Sequence, residues 1–147
     1  MTFTDDYLQF CWNLRNIWIH KVPKIGDWFM RLDPPELALI HDPGTQSDRM
    51  NDTDSAYVPD LDDLLELLDN RIAAFGIDPA SKDLQIHFDP RQGWSAQIIL
   101  HDDEDGEMEA HVARQSDPAL LLFRLLLEVT AGLLNKPSHT SPGGGTA

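Results

Sequence analysis

The sequence predicts an α+β fold, with a mostly antiparallel sheet and three helices in the order α-β-β-α-β-β-β-α. Two segments with helical spacing of apolar residues, 60–76 and 118–135, enclose a stretch in which apolar and polar residues alternate. A third helical segment lies near the N-terminus, and a second alternating stretch follows it. With 147 residues, the chain can bury a sizeable core without disulfides or metal, so we expect one αβ domain over residues 1–135.

The first helix is predicted over residues 4–21. Thr4 is the expected N-cap, and Asp5 and Asp6 in the first turn match the positive end of the helix dipole. Cys11, the only cysteine, lies in the apolar stripe of this helix and cannot form an internal disulfide. We therefore expect a buried thiol and a cytoplasmic protein. The N-terminal residues also lack the basic-then-apolar pattern of a signal peptide.

A β-hairpin is predicted after Asp27, where apolar residues alternate up to the prolines of the Asp33–Glu36 turn. Its second strand follows prolines, which cannot donate hydrogen bonds, so we expect this strand at a sheet edge. Residues 42–58 are polar and lack periodicity, which indicates a mobile acidic loop.

The second half predicts a helix, a three-stranded antiparallel meander and a final helix. Asp60 is the expected N-cap of the first helix and Gly76 its terminator. The strands are expected at 83–89, 93–101 and 107–113, with one apolar face and one polar face. The final helix, 118–135, is apolar nearly all round, so the sheet or a partner subunit must cover it. Residues 136–147 are predicted to be a disordered tail.

Charge is the unusual property of the composition. The chain has 25 acidic and 11 basic residues, a formal net charge of −14. Because such a field repels phosphate and anionic lipid headgroups, we expect no direct nucleic-acid or membrane partner. The sequence also lacks an uninterrupted apolar run of about 18 residues, the length that predicts a membrane span.

Two metal-site patterns were tested against their spacing, and neither predicts a cofactor. If Gly106 were the sixth position of a calcium loop, Val112 would stand where a bidentate glutamate is needed. Three histidines share the predicted polar sheet face, but pairing of the apolar positions sets His87 opposite Ser95 and His111 opposite Gln97. Their backbones would then lie on the order of 12 Å apart, too far for one zinc ion.

No catalytic motif is apparent, so we expect a protein that is not an enzyme. Cys11 lies in an apolar stripe, and no serine occupies a G-x-S-x-G turn. No glycine loop that could hold a phosphate is present, because Gly143, Gly144 and Gly145 belong to the tail. Carboxylates are abundant, but the sequence does not place them in an apolar pocket that would suit a general acid.

Two family resemblances concern the second half of the chain. The helix–three strands–helix order of residues 60–135 resembles double-stranded-RNA-binding domains, but the last helix begins SDPALLLF, without the lysines that hold phosphate in those domains. The segments YVPDLDDLLELLDNR and EAHVARQSDPALLLFRLLLEV, with the Trp94 strand, resemble phage ABA-sandwich proteins of phages and mobile elements. That resemblance implies a compact accessory protein and carries no catalytic residues.

The acidic residues are concentrated in two segments, Asp48–Asp69 with eight and Asp102–Glu109 with six. This distribution predicts an acidic, non-enzymatic binding protein that occupies a basic surface on a partner protein, as an inhibitor or immunity factor. One alternative is a self-associating structural or accessory protein, a homodimer through Leu120–Leu134, and another is a small-ligand or metal sensor. The predicted contact residues of the preferred function are Asp52, Asp54, Asp62, Glu66, Asp102, Asp103, Glu104, Asp105 and Glu107.

Overall fold

The computed structural model describes residues 3–18, 21–32, 35–44, 55–102 and 106–135. Their fold is α+β, with three α-helices and two three-stranded antiparallel sheets, which confirms the predicted class and the order of its elements. The chain divides into two compact units, one ending at Asp62 and the other beginning at Asp63. The single domain and the disordered tail stay predictions, and the tail lies outside the described residues.

Two helices and one sheet are the elements described in full in the first unit. The helices are α1 (Asp5–Asn13) and the 3-10 turn Arg15–Trp18. The strands are β1 (Trp28–Leu32), β2 (Pro35–Leu39) and β3 (Ser55–Val58). Their order in the sheet is β2-β1-β3, so the predicted edge position of β2 is confirmed.

Helix α1 is shorter than predicted, because α-helical geometry ends at Asn13 and not near residue 21. Thr4 is the N-cap as expected, since its hydroxyl accepts the Tyr7 N–H at 3.1 Å. At the other end, the Arg15 guanidinium donates to the Trp12 carbonyl at 3.0 Å and stacks 4.4 Å from the Trp12 ring. This contact caps a terminal carbonyl within a stretch whose asparagines are weak helix formers.

The polar segment 42–58 was predicted as a loop throughout, and its last four residues correct that prediction. Ser55–Val58 pairs antiparallel with β1, Tyr57 standing opposite Phe29, and all four residues are buried. Four residues are too few to show a period, so tertiary contacts rather than local pattern determine this strand. Residues 45–54 lie outside the described residues.

Aromatic side chains and one buried ion pair hold the first unit together. The Tyr57 ring contacts Trp18 at a centroid distance of 5.2 Å, and Lys21 Nζ lies 4.8 Å from its centroid. The same ammonium pairs with the buried carboxylate of Asp27 at 2.9 Å. Tyr7 is fully buried and donates its hydroxyl proton to the Pro59 carbonyl. These contacts fix the chain on both sides of β3.

The second unit follows the predicted meander closely. Helix α2 (Leu61–Ala74) starts at the boundary of the units and is followed by a 3-10 turn at Pro79–Ser81. Three strands and a final helix come next, and the sheet order is β4-β5-β6. These elements are β4 (Asp83–Asp89), β5 (Gly93–Asp102), β6 (Gly106–Gln115) and α3 (Pro118–Asn135).

Helix α3 packs on β6 and β5. Asp117 is its N-cap, accepting the Leu120 N–H at 2.8 Å. Gly132 of α3 faces β6, and a Cβ added there would displace the terminal methyl of the flexible Met108 side chain. By length and composition α3 could cross a membrane, with a mean hydropathy of 1.5, a test that core helices of soluble proteins also pass; half of this window is buried inside the protein.

A β-bulge interrupts the pairing of β5 with β6. Trp94 stands opposite Gln115 and Ala96 opposite Val112, so Ser95 faces two residues of β6. Arg114, one of those two, adopts a φ of 60°, the left-handed region that disfavours side chains other than glycine. Gly93 begins β5 with a φ of 87°, and a Cβ there would lie 2.6 Å from the Gln115 carbonyl oxygen.

Candidate protein-binding surface

The polar face of the second sheet carries the densest set of ionisable side chains in the described part of that unit. It forms because polar residues alternate with apolar ones on three adjacent strands. We call it the acidic sheet face. Its members are Asp83, Gln85, His87 and Asp89 on β4, Ser95, Gln97, Ile99 and His101 on β5, and Glu107, Glu109 and His111 on β6.

The strand register brings the acids of this face into rows. Asp83 and Glu109 both stand opposite Ile99 of the central strand, one on each side. Glu107 stands opposite His101, with 3.4 Å between Glu107 Oε2 and His101 Nδ1. The face therefore holds four carboxylates and three imidazoles, and one cation, the exposed Arg114, stands beside it at the bulge opposite Ser95.

Most of these side chains are available to a partner. All four carboxylate residues and all three histidines are exposed. Gln97 donates to Glu109 Oε1 at 2.7 Å, and this bond orients one carboxylate without removing its charge. Such an arrangement attracts cationic groups and offers oxygen acceptors to them.

The histidine register is as predicted, with His87 opposite Ser95 and His111 opposite Gln97. The third histidine, His101, lies farther along the central strand, opposite Glu107. Within the described ranges, no three His, Cys, Asp or Glu side chains are grouped so that they could hold a metal ion. The His101–Glu107 pair is a local polar contact at the rim of the acidic sheet face.

The predicted contact residues fall into three groups. Glu107 lies on the acidic sheet face and is exposed, and Asp102 is half-buried near the end of β5. Asp62 and Glu66 are exposed on α2, a different element. The remaining five, Asp52, Asp54, Asp103, Glu104 and Asp105, lie outside the described residues.

Sequence reasoning missed two acids of this surface, Asp83 and Asp89. They stand at the two ends of β4, in phase with Gln85 and His87. The alternation of polar and apolar residues along β4 could have placed both acids on the polar face. The acid-rich segments Asp48–Asp69 and Asp102–Glu109 drew the prediction to other residues instead. Counting acids along the chain overlooks carboxylates that only the sheet brings together.

Strand β4 adds a second feature, an edge that the described residues leave uncovered. Six of its seven residues are exposed, on both faces of the sheet. Ile86 is 42% exposed and Phe88 57%, although both belong to the apolar face. The Phe88 ring contacts Trp94 of β5 at a centroid distance of 5.0 Å, so an apolar surface continues from the edge onto the next strand.

A separate concave site lies in the first unit, between α1 and the β1–β2 hairpin. This open groove has a volume of about 470 Å³, within the usual range of small-ligand sites. Its lining includes Leu8, Trp12 and Leu37, with Arg31 and Glu36 among its charged residues, and contains no histidine, serine or cysteine. Cys11, on the same helix, is fully buried. The groove can hold an apolar group, and its lining residues include the carboxylates Asp5 and Glu36.

Comparison with known proteins gives no relative for this chain. No family model matches it, and neither a curated protein nor a solved structure does.

Proposed function

We propose that this protein is a non-enzymatic binding protein that occupies a basic surface of a partner protein, in the manner of an inhibitor or immunity factor. The observation that carries the proposal is the acidic sheet face, which presents four exposed carboxylates, two on β4 and two on β6, on either side of the central strand β5. An array of one charge sign raises the association rate and selects partners of opposite sign.

The predicted acids beyond this face extend the proposal. Under it, Asp102 adds a carboxylate at the end of β5, and Asp52, Asp54, Asp103, Glu104 and Asp105 stay predicted contact residues. Asp62 and Glu66 would make secondary contacts from α2. The proposal keeps two predictions made from the sequence, a relationship to phage ABA-sandwich proteins and a cytoplasmic location.

The experiment compares two variants with equal loss of charge. The face variant carries Asp83→Asn, Glu107→Gln and Glu109→Gln, and the control carries Asp5→Asn, Asp6→Asn and Asp42→Asn in the first unit. Binding of a fluorescein-labelled oligolysine is measured by anisotropy at low and moderate salt. We expect the face variant to bind at least about fivefold more weakly at low salt, and the control to change little.

Equal weakening in both variants would contradict the proposal, because it would show that only the net charge of the chain matters. Affinity that does not fall with added salt would contradict it as well.

A second candidate function, small-ligand binding, is favoured by the groove of about 470 Å³ beside Trp12. An apolar ligand there would quench or shift tryptophan fluorescence and raise the melting temperature. The homodimer through α3 has less support, because the sheet side of Leu120–Leu134 is already buried and only Leu134, 68% exposed, is a largely uncovered leucine.

A further inference from the structure

We infer that the edge of β4 binds an extended, basic segment of the partner, which adds to the second sheet as an antiparallel fourth strand. The inference rests on the proposed function and names the segment and the binding mode. Three observations carry it: the exposed edge, the uncovered apolar residues beside it, and the charge at its two ends.

The edge itself lacks the usual protections against strand addition. Natural edge strands are shortened, bent by a bulge, interrupted by proline or given lysines, because an open edge pairs with other chains. The β4 sequence DLQIHFD spans seven residues and contains none of these devices. Lys82, immediately before the strand, is paired with Asp69 at 2.8 Å. Strand β4 is therefore a continuous template for main-chain hydrogen bonds.

Beside this edge, the described part of the chain leaves two apolar residues of the sheet exposed. Helix α3 packs on β6 and β5, whereas Ile86 and Phe88 of β4 are 42% and 57% exposed. An added strand would place its own apolar residues opposite Leu84, Ile86 and Phe88 and remove this surface from water. Cross-strand apolar pairs of this kind are the stabilising unit of a sheet.

The negative charge at the two ends of β4 favours a basic partner segment over a second copy of this chain. Asp83 and Asp89 stand at the two ends of β4 on the acidic sheet face, so an in-register strand with a lysine or arginine at each end pairs with both. A second copy of this chain, paired about Ile86, would set Asp83 opposite Asp89 twice. Like charges directly opposite are destabilising, and each copy has a net charge of −14. The occupant is therefore a basic partner segment and not a second copy.

The test uses a defined peptide, acetyl-Lys-Val-Thr-Ile-Thr-Val-Lys-amide, labelled with fluorescein. Two further peptides carry an N-methyl group on the central Ile or on the Thr that follows it. Alternate N–H groups of a strand point to opposite edges, so these two peptides lose a donor on opposite edges. Strand addition predicts that one N-methyl peptide binds like the parent and that the other is weakened at least about tenfold, the effect of losing a central interface contact.

The protein variant is the double substitution Ile86→Ser with Phe88→Ser, and the control is Ile25→Ser, at an isoleucine of the first unit that is 74% exposed and lies outside the proposed site. We expect the double variant to weaken the parent peptide at least about fivefold and the control to bind it unchanged. Circular dichroism confirms that each variant is folded.

The inference and the proposed function fail in different ways. Equal binding of both N-methyl peptides, or indifference to the double variant, overturns strand addition even where the oligolysine result holds. Light scattering that shows a dimer, converted to a monomer by Ile86→Ser and Phe88→Ser, also overturns it, in favour of a second copy. If oligolysine binding does not depend on the face variant, the proposed function is overturned and the inference with it.

Discussion

The two edge strands of the second sheet, β4 and β6, flank the same central strand and differ in what surrounds them. Strand β6 lies under α3, bends at a bulge, and buries Ala110 and Val112. Strand β4 pairs without a register shift, and its residues at the equivalent positions are Leu84, which is half-buried, and Ile86, which is exposed; Phe88, two residues farther along, is exposed as well. Both strands alternate apolar and polar residues over similar lengths.

This difference shows that the alternation of apolar and polar residues predicts which face of the sheet a residue lies on. It does not predict whether another element covers that face. A helix covers about two strands, since helices are about 10 Å wide and strands lie about 4.8 Å apart. With α3 placed on β6 and β5, β4 lies beyond its reach. Ile86 and Phe88 of β4 therefore stay exposed on a face that is buried on the other two strands.

The largest effect is expected when isoleucine is replaced by alanine on a covered strand and, in a second variant, on β4. Ile98 of β5 is fully buried and Ile86 of β4 is 42% exposed, on the same face of the sheet. We expect Ile98→Ala to lower the free energy of unfolding by about 2–5 kcal/mol through the cavity it leaves. Ile86→Ala should cost less than about 1 kcal/mol.

Urea denaturation of both variants, with the midpoint and slope compared to those of the parent chain, measures the difference. Similar losses at the two sites would mean that β4 is as well covered as β5 in solution, and the comparison would fail.

The fold was largely predictable because the long segments carry clear periods. The strand boundaries 83–89, 93–101 and 107–113 lie within two residues of the observed ones, and the final helix has its predicted limits. The shorter elements were not predictable. Strand β3 has four residues, too few to show a period, and the end of α1 depends on an arginine contact.

A smaller effect is expected where α3 approaches β6. Gly132→Ala places a methyl group against the terminal methyl of Met108, the mobile end of a flexible side chain, so the overpacking cost should lie at or below the lower end of the usual ~1–3 kcal/mol. The better helix propensity of alanine, about 1 kcal/mol, offsets most of that cost. Thermal unfolding of Gly132→Ala, Met108→Ala and the double variant forms a cycle that isolates this contact.

In that cycle, the double variant should be more stable than the sum of the two single losses predicts. Strict additivity would show that an alanine at position 132 does not press on the Met108 side chain.

The smallest effect concerns the bulge that distinguishes β6 from β4. Because Arg114 has a φ of 60°, Arg114→Gly relieves backbone strain and should leave stability unchanged or raise it by up to about 1 kcal/mol. Ala113→Gly, one residue away, is the matched control. It should destabilise by about 0.5–1 kcal/mol, the ordinary cost of glycine.

Chemical denaturation of these two variants is the measurement. Equal destabilisation by both would show that Arg114 is not strained, and that the bulge does not account for the bend of β6.

The candidate site was only partly predictable. The sequence indicated the acidic character and placed Glu107 among the contact residues, and the register analysis placed the three histidines correctly. It could not indicate that Asp83, Glu107 and Glu109 share one face, because that grouping depends on pairing between strands far apart in the chain. Nor could it show that α3 leaves β4 uncovered.

The buried thiol of Cys11 can report how often the first unit opens. Its side chain is fully buried in α1 and is the only thiol in the chain, so a thiol reagent can reach it only when that region opens. The labelling rate under native conditions thus measures the opening free energy of the first unit, without an introduced probe. The same labelling rate can be measured in the Ile98→Ala variant, whose substitution lies in the second unit. A faster rate would show that the two units open cooperatively, and an unchanged rate that they open separately.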